Sequence, residues 1–259
     1  MSDTRADSGM VAAATFVACH SIVELSLRHP TAQRALLDPQ FLHKLVMSGF
    51  YGWVKDGEPD PRAQLQVLHT STVDLKADLL TVVVQARVQP DWSRVPRPAL
   101  AAKPVVINIE HRVEVGQEYT FRTVVHPTRD TFQRPGQAPR VGEQRRRRTQ
   151  DEPELVRAWF AERLQPHGEP AVSQPRGVRR IGVDGDAAAF EVTVLPETQD
   201  MRDRPGQRLT RAEIQGTVIV TDVAAFVDTL IHGFGRSRSL GCGLLLIKPT
   251  GRQEVVGLI

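Results

Sequence analysis

The sequence predicts an α+β protein: two tandem ferredoxin-like (RRM-type, βαββαβ) domains joined by a linker. Three observations carry that expectation. Segments of strand-like alternation and of helical spacing follow one another as strand–helix–strand–strand in the first half, and a related order returns in the second. Over residues 128–140 the composition shifts to Pro, Gly, Arg and Gln, as in a linker or long loop. The length, 259 residues at 41% hydrophobic and 24% charged, suits two ordinary globular domains of about 100–150 residues. The expected divisions are a leader over 1–10, an N-terminal domain over 11–127, the linker over 128–140, and a C-terminal domain over 141–259. No residue-level repeat relates the halves, so the duplication is one of fold.

In chain order, residues 15–25 alternate roughly and are rich in β-prone types, which places the first strand within 11–27. Residues 31–50 have helical spacing, with an interruption near Pro39, because proline disfavours helix in the residue before it. Residues 65–72 and 79–88 read as a strand pair, and 89–104 as an irregular proline-rich stretch. Strands are expected at 105–109 and 118–125. The second helix of the N-terminal unit is poorly marked. Pro153 and acidic neighbours open a helix over 154–164, with Leu155, Trp159 and Leu164 expected to face a core. Strands at 177–183, 187–195 and 208–220 precede a closing helix with Ala225, Phe226, Leu230 and Ile231 at helical spacing. A glycine loop and a last strand, 244–247, end the pattern.

Several classes are excluded early. No apolar run approaches the roughly 20 residues that span a bilayer. Residues 1–10 lack the basic-then-apolar layout of a signal peptide, so a cytoplasmic protein without membrane contact is expected. Cys19 and Cys242 are the only cysteines and no Cys-x-x-Cys or Cys/His cluster occurs, which argues against a disulfide scaffold, a structural zinc or any other metal site. The net charge is +3, and only five of the 33 basic residues are lysine. Arginine suits bidentate phosphate contacts and stacking on bases, although a genome-wide composition bias gives the same excess. Where the arginines cluster is more informative.

Two clusters stand out. The loop after the closing helix holds Gly233, Gly235, Gly241 and Gly243 together with Arg236 and Arg238. Glycines let backbone amides approach a ligand, successive amides make a concave anion site, and guanidinium forks match phosphate. Gly233 also reads as a helix C-cap. A dinucleotide fingerprint is expected between a strand and a following helix, and here the order is reversed, so no small-molecule cofactor is expected. The second cluster, Arg202, Arg204, Arg208 and Arg211 around Pro205 and Gly206, lies between two expected strands and reads as the tip of a basic hairpin. Asp200 and Asp203 are interleaved, so a solvated mixed-charge loop is the competing reading. The Arg145–Arg148 run is open in the same way. With aromatics at 5% and no RNP-type aromatic strand, a reader that stacks many bases is disfavoured.

The stretch 233–245, with its Gly241-Cys242-Gly243-Leu244-Leu245 ending, resembles the C-terminal glycine-rich signature of the CasE family. These are CRISPR-associated endoribonucleases of the RAMP superfamily that trim repeat RNA for the type I-E Cascade complex. Three further segments are similar to that family, in the right order over almost the whole chain. Residues 38–43 followed by Phe50 look like the helix bearing its catalytic histidine, which falls on His43. Residues 119–128 resemble its strand ending in an Asn-Pro-Thr-like turn, with His126 where Asn is usual. Arg140 and Val141, followed by the Trp159 helix, match a later block. Gln40 occupies the place where the family often has a tyrosine, which puts a phenol helper in doubt.

Read from spacing alone, His43 falls at the border of the apolar stripe made by Leu42, Leu45, Val46 and Phe50, where structural and catalytic histidines are both at home. The resemblance implies the catalytic one. It implies a metal-independent endoribonuclease that cuts at the 3′ side of a CRISPR repeat stem-loop through the substrate's own 2′-hydroxyl. The ends would be a 2′,3′-cyclic (or 3′-) phosphate and a 5′-hydroxyl. It also implies that the basic hairpin enters the groove at the stem base, and that the chain keeps the crRNA and meets other Cascade subunits through it. The alternative is a non-catalytic hairpin-binding subunit of a ribonucleoprotein, with His43 as packing.

Overall fold

Alternation over residues 13–26 makes one long strand, β1 (Ala13–Ser26), whose two faces serve two cores. Val23 and Leu25 pack into an N-terminal core, while Phe16 and Ala18 join the C-terminal one. The computed structural model describes residues 12–55, 57, 59–131, 146–174, 177–199 and 208–251. The leader over 1–10, most of the linker, Arg145, Arg202 and Arg204 lie outside the described residues, as do the side chains of Arg146, Arg147, Arg148 and Arg208.

The helical stretch expected over 31–50 is two helices, α1 (Pro30–Leu37) and α2 (Pro39–Ser48). Asp38 breaks it by taking extended dihedrals, and its carboxylate accepts the amides of Gln40 and Phe41 at 3.0 Å. Pro39 then stands in the first turn of α2, where its missing N–H costs nothing. A single turn, α3 (Pro61–Gln64), leads to the hairpin β2 (Leu68–Asp74) and β3 (Leu79–Ala86). Two 3-10 turns, Trp92–Arg94 and Arg97–Ala99, stand where a second helix would complete the unit, and β4 (Val105–Glu114) closes it. The sheet order β2-β3-β1-β4, antiparallel throughout, is the split βαβ arrangement.

The strand β5 (Glu118–Val125), grouped with the N-terminal unit by sequence, sits inside the second sheet. The sheets therefore change over in the turn at 115–117. Beyond it, β6 (Thr128–Thr131), at the start of what reads as linker by composition, pairs with β7 (Arg146–Thr149) as a ribbon. Helix α4 (Pro153–Ala161) buries Val156, Trp159 and Phe160, and Leu164 beyond it is buried too. Leu155 was expected in this core but is 40% exposed, because the inward face of the helix runs through 156 and 159–160. Three short strands follow, β8 (Val172–Ser173), β9 (Val178–Arg179) and β10 (Val183–Asp184). The hairpin β11 (Glu191–Gln199) and β12 (Arg208–Val220), helix α5 (Val223–His232) and β13 (Leu245–Pro249) complete the chain order. In the second sheet β13, β5 and β12 are consecutive neighbours, with β10 and β11 both pairing on β12. The split order thus recurs.

Helix α5 lies across β1 and β4 of the first sheet, so the closing helix joins the two units. Gln85, 2% exposed, donates its Nε2 to the Leu230 carbonyl at 2.6 Å, and its Oε1 is 3.0 Å from Nε2 of His20. Nearby, Arg122 on β5 donates to Thr72 Oγ1 on β2 at 2.8 Å and to Glu213 at 2.5 Å.

Candidate active site

Helix α2 presents His43 half-buried, its ring stacked on that of His69 with centroids 6.2 Å apart and planes 22° from parallel. His69 is the second residue of β2 and is 1% exposed. Both elements pack against the 3-10 turn Arg238–Leu240 in the glycine-rich loop. The N-terminal half and the far end of the chain therefore meet at the two imidazoles.

The glycines explain how the loop can close there. Gly233 caps α5 at φ 67, its amide donating to Thr229 at 2.8 Å. A Cβ on Gly233 would stand 2.7 Å from the Gly243 carbonyl oxygen, and one on Gly243 would stand 2.2 Å from that of Phe234. Two passes of backbone thus touch where a side chain would part them. Gly241, at φ +83, rests on His69: a Cβ there would lie 3.5 Å from its Nε2. The amides of Phe234, Leu240 and Cys242 are spent on acceptors within the loop, and that of Gly243 on the Val124 carbonyl of β5. Much of the expected amide cradle is therefore closure of the loop itself. Gly235 and Arg236 are exposed, Gly235 lying over the Trp159 ring. Arg238 is half-buried and donates to the His232 carbonyl at 3.0 Å.

Beside His43 opens a cleft of about 670 Å³, lined among others by Ser48, Tyr51, Arg62, Arg94 and Ser239. Asp60 caps α3 and sets Arg62 on the cleft wall, 3.9 Å from its own carboxylate, with the guanidinium donating to the Val67 carbonyl at 3.2 Å. Burial holds the His43 imidazole below its usual 6.5, the Arg62 charge lowers it further, and Asp60 opposes. Burial, then His43, Arg62 and Arg211, drive His69 down to about 3. Both rings are therefore neutral at pH 7. Nδ1 of His43, Nε2 of His69 and Nε of Arg211 are buried without a hydrogen-bond partner among the described residues.

Arg211 stands on the expected strand of the hairpin rather than at its tip. It lies inside β12, paired opposite Leu195, half-buried near His69 and Cys242. β12 begins at residue 208, where the sequence also places a strand, so 211 is a strand position rather than part of the tip. Burial pushes the Cys242 thiol up to about 12. The hairpin itself is present as β11 and β12, with 200–207 outside the described residues. His69, Arg62, Arg94 and Ser239 have no signal in the sequence that marks them for this cleft. They meet His43 only through folding. Among the described residues no group of three or more His, Cys, Asp or Glu is placed to hold a metal ion, and no helix is long and apolar enough to cross a membrane.

Two split-βαβ sheets joined by a closing helix, with a glycine-rich loop folded over a histidine-bearing helix, define a tandem ferredoxin-like fold. The family model described as CRISPR associated protein matches residues 20–249, and the chain belongs to that family. Among solved structures, Thermus thermophilus Cse3 bound to an RNA representing a pre-cleavage complex is similar at 20% identity. It covers 90% of this chain and 100% of that one, with a TM-score of 0.63. A second structure, of the CRISPR endoribonuclease Cse3 bound to a 19-nucleotide RNA, gives 0.62 at 19% identity over 91% and 100%. Cas6e from Escherichia coli K-12 gives 0.61 at 15% identity over 90% and 99%. The CasE resemblance carried by residues 233–245 agrees with this family and fold. No curated protein matches the chain in sequence.

Proposed function

We propose that this chain is a metal-independent endoribonuclease that cuts CRISPR repeat RNA at the 3′ side of its stem-loop and retains the product as a Cascade subunit. The carrying observation is His43: a neutral imidazole on the wall of a cleft that also holds Arg62 and Arg94. The fold is that of Cse3, which has been solved with RNA bound. The neutral ring takes the proton of the 2′-hydroxyl as O2′ attacks the adjacent phosphorus, and the bond to O5′ breaks as O5′ takes a proton from solvent water. Arg62 stabilises the charge gathering on the phosphoryl oxygens, and in-line positioning of the nucleotide supplies much of the remaining acceleration. The products are a 2′,3′-cyclic phosphate, or a 3′-phosphate after its hydrolysis, and a 5′-hydroxyl. Arg202, Arg204 and Arg208 on the hairpin, with Gly233, Gly235, Arg236, Arg238 and Gly241 of the loop, are the proposed RNA-binding set. Arg211, half-buried on β12 near His69, acts from behind that ring rather than on RNA directly.

The test is cleavage of cognate repeat RNA. His43→Ala should lower the rate by about 10²–10⁴-fold, the usual worth of a positioned acid or base, while hairpin affinity is largely kept. A 2′-deoxy nucleotide at the cut site should block cutting and spare binding. Full cleavage by His43→Ala, or wild-type activity lost in EDTA, refutes the mechanism. Absence of any cutting of all-ribose RNA would leave a hairpin-binding subunit.

A further inference from the structure

The turn after the histidine helix carries aromatic rings outward. Tyr51 is 39% exposed and Trp53 54%, in a chain with only 2 tyrosines and 3 tryptophans. The remaining ones, Tyr119, Trp92 and Trp159, are all buried. Neither exposed ring is loose. The Tyr51 hydroxyl donates to the Asp91 carboxylate at 2.9 Å, and the other oxygen of that carboxylate accepts the Ser93 amide at 2.9 Å. The Trp53 indole donates to the Gln89 carbonyl at 2.9 Å. The two turns are locked together at the backbone, with the Asp91 amide donating to Gly49 at 2.7 Å. Gly49 lies so close to Trp92 that a Cβ would stand 2.7 Å from the indole. The Arg94 guanidinium lies over the Tyr51 ring, 3.6 Å from its centroid, and both groups line the cleft that holds His43.

Fixing an exposed tyrosine and a long arginine costs side-chain entropy and gains little from core burial. Rigid aromatic and guanidinium planes are surfaces on which unpaired nucleobases stack. The cleft, about 670 Å³, is within the range of small-molecule sites, roughly 300–1,000 Å³. We infer that Tyr51 and the Arg94 stacked on it form a binding site for one unpaired nucleobase beside the phosphate at which His43 acts. The ligand is a single-stranded ribonucleotide flanking the stem. One base, rather than many, fits a chain with 5% aromatics. The stack holds the nucleotide's ribose so that O2′ faces the imidazole, and its affinity is independent of which base is present, because every base offers a π-face. This inference rests on the nuclease reading for its substrate, but its test separates the two.

The probe is the repeat RNA made uncleavable by 2′-deoxy substitution at the cut site, with single abasic replacements at each nucleotide flanking the stem. For the wild-type chain one abasic position should weaken binding by about tenfold, as the loss of one base–aromatic stack does. Tyr51→Ala and Arg94→Ala should weaken binding of the parent RNA similarly, and should no longer distinguish the abasic RNA from the parent. Tyr51→Phe, which keeps the ring, should retain the discrimination. The abasic scan uses the unaltered protein, so a poorly folding variant does not obscure it. Equal binding of every abasic RNA, or abasic and Tyr51→Ala losses that simply multiply, overturns the stacking site even where cutting still needs His43. Coupled losses in a chain that leaves all-ribose RNA uncut uphold the stacking site and refute the nuclease reading.

Discussion

At the scale of single residues, the two stacked imidazoles make opposite demands on a reader of the sequence. His43 is legible, because it sits at the border of an apolar stripe and within a family-like segment. His69 is not, because nothing in a strand beginning Leu68-His69-Thr70 announces a contact with a helix 26 positions earlier. Yet His69 has the stronger consequence for stability. Its folded-state proton affinity is displaced from 6.5 down to about 3. As pH falls below 6.5 the unfolded chain takes up a proton that the folded chain refuses, so stability present above 6.5 is lost downwards until about pH 3. The slope from this one group is about 1.4 kcal/mol per pH unit. Denaturant titrations at pH 7 and pH 5 should show that loss, and His69→Gln should flatten it; equal pH dependence in both proteins would place the proton elsewhere. His43, lowered by burial and by Arg62, predicts a cleavage rate that rises along an acid limb centred below 6.5. Arg62→Gln removes a lowering charge and should move that limb upwards, in addition to slowing the reaction. A limb that stays in place would mean the titrating base is not His43.

At the scale of elements, the glycine-rich loop shows how a pattern can be legible while its physical role is only partly so. Its glycines and arginines are visible as a pattern, and the pattern suggests amides offered to phosphate. The fold uses several of those amides internally, because Gly233 and Gly243 let the loop's two strands of backbone come into contact. Gly243→Ala is therefore expected to be severe. Its φ of +82 alone costs a side-chain-bearing residue about 1–3 kcal/mol, and the new Cβ would press on a carbonyl oxygen at 2.2 Å. Gly235→Ala meets only ordinary contact, 3.5 Å from Trp159, and carries the dihedral cost without the clash. Thermal melts should rank Gly243→Ala well below Gly235→Ala, and equal melting temperatures would refute the closure role. Arg211 illustrates the complementary case. The composition of 199–211 marks a basic hairpin and the strand start at 208 is legible, but that residue 211 lies near His69 from within β12 is set by tertiary packing.

At the scale of the whole molecule, the recurring strand order is readable from alternation and turn residues, but the partner of a strand is not. Residues 118–125 read plainly as a strand, while their pairing with 208–220 and 245–249 is set by contacts roughly a hundred residues away. The same distance hides the joint between the two units. Helix α5 leaves its last carbonyls without helical partners, as every helix does, and Gln85 of the first sheet takes up that of Leu230. The chain runs from there directly into the loop that covers His69 and His43. The joint at Gln85 therefore holds the closing loop in register with the histidine helix. Gln85→Leu fits the volume but orphans the buried Leu230 carbonyl, at a cost of about 1–3 kcal/mol, and takes a partner from the half-buried His20. The melting temperature should fall by several degrees, since 1 kcal/mol moves a domain of this size by about 2–4 °C. Cleavage below that melting point should fall by a larger factor than hairpin affinity, because a loosened α5 displaces the loop from the imidazoles while the basic hairpin on β11 and β12 keeps its place. If the rate and the affinity fall together, or the melt does not move, the two units are held by their apolar contacts alone and Gln85 is incidental.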